Sequence, residues 1–144
     1  MQIKANLING TKNGFNVSIK LIKVIVPFYI IVDVASRTPL ANEMGIFLSP
    51  FMKPFGLSGK MSVAIISGYL VNLYAAIAAL VPLHPTWQQV TIVGLMTGIS
   101  HNLIVEGVVL HKTGTNALFT VAFRIAVSLI AGLSLSTIFR IIYG

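Results

Sequence analysis

The chain contains no cysteine, and only three of its 144 residues are acidic: Asp33, Glu43 and Glu106. Without cysteine there are no disulfides and no thiolate metal sites. Charge of either sign is scarce, at 9% of residues, against about 25% in soluble domains. A chain so poor in charge cannot cover itself with a normal polar surface. What is abundant is apolar: 56% of residues are hydrophobic and the mean hydropathy is +0.89. This balance describes an integral membrane protein. The length sets a single domain, 1–144, as the default.

The formal charge of +7 and the pI near 10.1 would suit a nucleic-acid partner, but the positions argue for lipid. Lys4, Lys12, Lys20 and Lys23 lie at or before the start of the first apolar run. Arg37, Lys53 and Lys60 lie between runs, and Lys112 and Arg140 at segment ends. Cations so placed snorkel to headgroups. The partner expected is therefore the bilayer, and no nucleic acid is expected. The first apolar run ends in Asp33 rather than a cleavage site, so the segment is expected to be retained.

Along the chain, residues 1–18 place Ile3, Leu7 and Ile8 at helical spacing, which fits a short interfacial helix broken near Gly10 or Gly14. A disordered tail is the plainer alternative. Residues 19–37 span only if Lys20 and Lys23 snorkel and Asp33 is tolerated. Residues 38–60 carry an apolar patch too short to cross, bracketed by proline and glycine, and read as a re-entrant or interfacial half-helix followed by an irregular turn. A surface loop is the alternative there.

Residues 61–83 are free of charge and read as one transmembrane helix, with a small-residue strip of Gly68, Asn72 and Ala76 beside Ala75 and Ala79. Trp87 marks an interface. Residues 87–110 form the next helix, and the last runs from about Asn116 to Tyr143. The expected fold class is all-α: a polytopic transmembrane helical bundle with about four spanning helices, an N-terminal interfacial helix and a re-entrant segment.

The chemistry concentrates in 94–107. On a straight helix Gly94, Thr97, Gly98, His101, Asn102 and Glu106 share half the circumference. A charge near the bilayer centre costs about 2.5–3.5 kcal/mol even on lenient scales, so such groups are turned inward and given a partner or a task. His101 and Glu106 are five apart, about 140° around a straight helix, which argues against one ion meeting both. No H-E-x-x-H spacing occurs, so no metal and no cofactor are expected. His84 and His111 fall at segment ends and read as interfacial.

The last helix offers a counterpart. Arg124, Ser128, Gly132, Ser136 and Arg140 form an unbroken i, i+4 column. Glu106 and Arg124 would lie within about 5–6 Å of equal depth on adjacent antiparallel helices, which predicts an ion pair, with Asn102 able to join it. Such a pair either holds the bundle together or lines a path together with Asn72, His101 and Asn102. No nucleophile–base spacing appears, so no enzyme is expected.

With four spans, Lys4, Lys12, Lys20, Lys23 and Arg140 share one side, and Arg37, Lys53, Lys60 and Lys112 the other. That is almost no positive-inside bias. Either the first segment does not span, or the protein inserts both ways and forms antiparallel dimers that recreate an inverted repeat.

The runs Gly45…Leu48-Ser-Pro50…Pro54-Phe-Gly56-Leu-Ser-Gly59, Ile66-Ser-Gly68-Tyr-Leu-Val-Asn72…Ala75-Ala76 and Ser100-His101-Asn102-Leu103…Glu106 resemble the nucleoside recognition (Gate) domain family, over roughly 1–114. The family includes spore maturation membrane proteins and the membrane modules of ferrous iron transporters, and is similar to parts of concentrative nucleoside transporters. The resemblance implies a helical domain that works in pairs, with helix breaks near a solute path. The Gly68–Asn72 and His101–Glu106 stretches are the positions it carries over. Without a GTPase domain, and as a single copy, one chain would be half of a paired module. The function expected is a small-solute or ion transporter, or a subunit of one, acting as a homo-oligomer in the cell membrane. A non-transporting membrane scaffold or assembly protein is the alternative.

Overall fold

The computed structural model describes the backbone of residues 2–36 and 38–143, and the side chains of these except 2–5, 24, 28, 35, 36, 40 and 41. The Lys4 side chain and all of Arg37 therefore lie outside the described residues. Among the described residues the fold is all-helical: α1 (Gln2–Ser36), α2 (Pro39–Met52), α3 (Ser62–Leu70), α4 (Leu73–Leu80), α5 (Trp87–Ile99), α6 (Leu103–Lys112) and α7 (Ala117–Tyr143). Short 3-10 turns at Lys53–Phe55, Gly59–Met61 and Val81–Leu83 link some of them. Two stretches, Trp87–Lys112 and Ala117–Tyr143, are long and apolar enough to cross a membrane.

The first correction concerns α1. It is one continuous helix, broken at neither Gly10 nor Gly14. A glycine in a helix costs about 1 kcal/mol relative to alanine, and neither site offers the backbone a better alternative. The expected short interfacial helix and the segment after it are one element. Of its described side chains Val32, near the far end, is buried in the core, and the helix packs on α4.

The second correction concerns residues 61–83, which are not one helix. The helix stops at Leu70, and Val71 and Asn72 leave helical geometry, Asn72 being fully extended at φ −174°. The chain then folds back, so that a Cβ on Gly68 would lie 3.0 Å from that of Ala76. Eight residues along a straight helix would separate them by about 12 Å. The break has a local cause. The Asn72 side chain accepts from Ala75 N–H at 2.8 Å and so caps α4, a role for which asparagine is among the preferred residues. The strip of small residues does permit close approach, but within a hairpin: a Cβ on Gly68 would also come to 2.5 Å from Thr97 Cγ2 of α5.

The segment between α2 and α3 is irregular, as expected. Its carbonyls are taken up by protein. Ser136 donates to Pro54 O at 3.1 Å, Arg140 to Lys53 O and Pro54 O at 2.9 and 3.0 Å, and Gln89 to Gly56 O at 3.2 Å. Satisfaction by protein is the condition for non-helical backbone at membrane depth. Around this segment gather the core residues Phe55, Leu57, Met61, Ile65, Ile92 and Met96.

On α5, Gly94 and Gly98 meet nothing: a Cβ at either has no neighbour within 4 Å. Their G-x-x-x-G spacing packs against no helix among the described residues. Gly94→Ala and Gly98→Ala are therefore expected to leave the melting temperature of the detergent-solubilised monomer unchanged or slightly raised, by up to about 1 kcal/mol of helix propensity. A drop of several degrees in either would mean that the face is covered.

Candidate functional site

The site forms where α5 gives way to α6. A capping box starts α5, with Thr86 accepting from Gln89 N–H and Gln89 from Thr86 N–H. The helix ends at Ile99, and Ser100, His101 and Asn102 follow outside helical geometry, Asn102 at φ +56°. Serine and asparagine compete with helix through local hydrogen bonds, and asparagine visits the left-handed region more readily than most residues. Two such residues, Ser100 and Asn102, flanking His101 interrupt an otherwise apolar helix. The continuous helix expected over 87–110 is thus two, and its polar residues do not share the single arc of a straight helix.

The interruption brings residues together that a straight helix holds apart. His101 Nε2 lies 3.9 Å from Glu106 Oε1, and His101 Nδ1 is 3.2 Å from Gly98 O. The straight-helix argument that separated His101 from Glu106 fails for that reason. Among the described residues, however, no three His, Asp or Glu side chains gather as a metal site would need.

Arg124 of α7 spans the break. Its Nε and Nη2 donate to Ile99 O at 3.0 and 2.8 Å, and its Nη1 pairs with Glu106 Oε2. One guanidinium fork therefore ties the carbonyl end of α5 to the first turn of α6. Its planar donor array suits such double use. The predicted Glu106–Arg124 pair is present. Asn102 does not join it by any hydrogen bond among the described residues; instead its backbone N–H donates to Gly68 O on α3 at 3.1 Å.

The α5–α6 break thus meets the last turn of α3, just ahead of a second break. That second break is the Val71–Asn72 turn of the α3–α4 hairpin, and the first is Ser100–Asn102. Asn72 uses its side-chain oxygen on α4, and no hydrogen bond or ion pair among the described residues links it to His101 or Glu106. Of the five expected site residues, His101, Glu106 and Arg124 form one cluster, with Asn102 beside it through its backbone.

Sequence reasoning missed Ser100 and Tyr69. The Ser100 hydroxyl is fully buried at the break with no hydrogen-bond partner among the described residues, a condition that costs about 1–3 kcal/mol. Tyr69 Oη shares a hydrogen bond with Ser128 Oγ, which in turn is 2.9 Å from Met96 O. The run Ser100-His101-Asn102 was the available signal for the first. For the second there was none, since a tyrosine in an apolar run looks like packing.

The arrangement is unevenly covered. Arg124 keeps 22% of its side-chain surface, Glu106 37% and His101 42%. The described hollows lie elsewhere, one at the α6–α7 turn around His111 and Thr115, another between Phe55, Gln89, Ser136 and Arg140. The cluster sits on an open face.

Two apolar stretches long enough to cross a membrane, one of them interrupted beside an ion pair, mark the chain as a helical membrane protein. The sequence profile of the nucleoside recognition (Gate) family matches residues 18–143, and the chain belongs to that family of membrane proteins. The match leaves out the first 17 residues and takes in α7, beyond the expected limit near Gly114. The chain is 31% identical over 138 residues to the uncharacterized membrane protein YvoD of Bacillus subtilis (strain 168), covering 96% of this chain and 44% of that one. It therefore spans less than half the length of this relative. No solved structure matches.

Proposed function

We propose that the chain is a multi-pass subunit of a small-solute or ion transporter of the cell membrane, and that it works as an oligomer. The observation that carries this is the junction of the α5–α6 break with the last turn of α3, at Asn102 N–H to Gly68 O, with His101, Glu106 and Arg124 beside it. Transporter sites are typically built from discontinuous helices whose freed backbone groups and neighbouring side chains meet the solute. Asn102, His101 and Glu106 would offer the solute polar and charged contacts, with Ser100 Oγ as an unspent group.

Two further features support the finer points. At nine and eight residues, α3 and α4 are each about 13 Å long. That is too short to cross about 30 Å of hydrocarbon, so the hairpin is a re-entrant element. Glu106 and His101 are also too exposed in one chain to face lipid. A second copy, or water between copies, would cover them. Neither chemistry nor nucleic acid is part of this reading.

The scaffold alternative draws on a specific fact. Arg124 is fully engaged by Ile99 O and Glu106, as a purely structural lock would be.

Flux into proteoliposomes separates the two. Asn102→Gly keeps the left-handed backbone that position 102 needs and is expected to hold stability within about 1 kcal/mol. It removes the side chain from the path, and flux should fall about tenfold, the worth of one hydrogen bond to a solute. Asn102→Gly with full flux would remove that side chain from the site. Wild-type vesicles that pass no member of a panel of nucleosides, organic ions and metal ions would leave the scaffold.

A further inference from the structure

Every residue from 6 to 18 in α1 is exposed, and the helix through them is unbroken. Helical periodicity can therefore be applied to it directly. At 100° per residue, Leu7, Ile8, Phe15 and Ile22 fall within about 100° of arc, and Lys12, Lys20 and Lys23 fall within an arc of about 80° that begins about 40° beyond Ile8, with Asn9, Asn13 and Asn16 around them. All four apolar residues are more than half exposed, from 57% at Ile22 to 67% at Ile8. Leu7, Ile8, Thr11, Lys12 and Phe15 line one shallow hollow on that side. No acidic residue occurs before Asp33. Most of this stretch also lies ahead of the family match, which begins at residue 18.

We infer that this half of α1 is a docking surface for an anionic lipid leaflet, with the apolar stripe at the acyl boundary and the lysines among the headgroup phosphates. The membrane interface offers an apolar phase and negative charge within one helix diameter, which is what the two faces require. A second copy of the helix would cover the stripe but bring only more cations, because the segment carries no acid to meet Lys12, Lys20 and Lys23. A nucleic acid would meet the lysines and leave Leu7, Ile8 and Phe15 in water.

The absence of cysteine makes the test direct. Thr11→Cys, near the middle of the stripe, is labelled with an environment-sensitive fluorophore, and the full chain is reconstituted into phosphatidylcholine vesicles with or without phosphatidylglycerol. The expected result is blue-shifted emission, quenched by lipid-borne nitroxide, in the phosphatidylglycerol vesicles, and reversed by salt. Lys12→Gln, Lys20→Gln and Lys23→Gln together should erase the difference between the two lipids. The salt series on the chain with its lysines intact gives the same answer if the triple variant inserts poorly. Equal emission in both lipids overturns the proposal. So does emission that follows the protein-to-lipid ratio rather than the phosphatidylglycerol fraction, which would put a second copy on the stripe.

Discussion

Arg124→Gln is expected to destabilise the protein by about 3 kcal/mol, the low end of the cost of breaking a buried ion pair. The low end applies because Arg124 and Glu106 keep 22% and 37% of their side-chain surface. Two losses combine. Ile99 O loses both of its guanidinium donors, and the Glu106 carboxylate is left with only His101 at 3.9 Å. Glu106→Gln should cost less, about 1–2 kcal/mol, because Gln keeps an acceptor for Arg124 and Arg124 keeps Ile99 O. The double variant should fall short of the sum by about 1–2 kcal/mol, since removing both charges strands neither. Thermal melting in detergent for the three variants measures this. Strict additivity would mean that the two residues stabilise the break independently.

Gly59→Ala should be at least as damaging, by a different route. A Cβ at this position would overlap the carbonyl oxygen of Gly45 and lie 2.7 Å from its carbonyl carbon and 2.9 Å from Ser49 N. All three atoms are backbone of α2, so no side chain can rotate away. The whole helix must shift off the Gly59–Met61 turn, at a cost of about 3 kcal/mol or more. Gly45→Ala tests the same contact from the other side and should cost under about 1 kcal/mol, because its nearest neighbour is Lys60 Cγ at 3.0 Å, on a flexible side chain. The pair is read as folded yield by size exclusion in detergent and as melting temperature. If Gly59→Ala melts within a degree of wild type, the close approach of α2 to the turn is wrong.

Much of the fold was legible where the signal was length and periodicity. The i, i+4 column in the last helix was visible as a pattern, and so was the Glu106–Arg124 pair, because both follow from the rise of a straight helix. The breaks were not. Hydropathy counts apolar residues and is blind to a turn made of Val71 and Asn72, where one side chain switches from lining a strip to capping a helix. The same blindness hid Ser100-His101-Asn102, so His101 and Glu106 were placed about 140° apart on one polar half of a helix that is in fact interrupted. In α1 the error ran the other way, with two glycines credited with breaking power they lack. Nor could the column's task be read. Arg124, Ser128, Ser136 and Arg140 donate to Ile99, Met96, Pro54 and Lys53 carbonyls, and no side-chain pattern announces a backbone partner.

That column bears on the order of events as the chain is made. Synthesis delivers the acceptors first: Lys53, Pro54, Met96 and Ile99 all emerge before any residue of α7. Until α7 follows, Pro54 O and Ile99 O lack the donors that Ser136, Arg140 and Arg124 bring, whereas Lys53 O and Met96 O already accept from Gly56 and Ser100 N–H. Neither the irregular stretch after α2 nor the end of α5 can settle in hydrocarbon on its own. The two interruptions are therefore expected to remain hydrated or fluctuating during insertion and to set together when the last helix arrives. A nascent chain halted before Ala117 should show greater solvent access at Ile99 than the finished protein, in which that residue is half-buried.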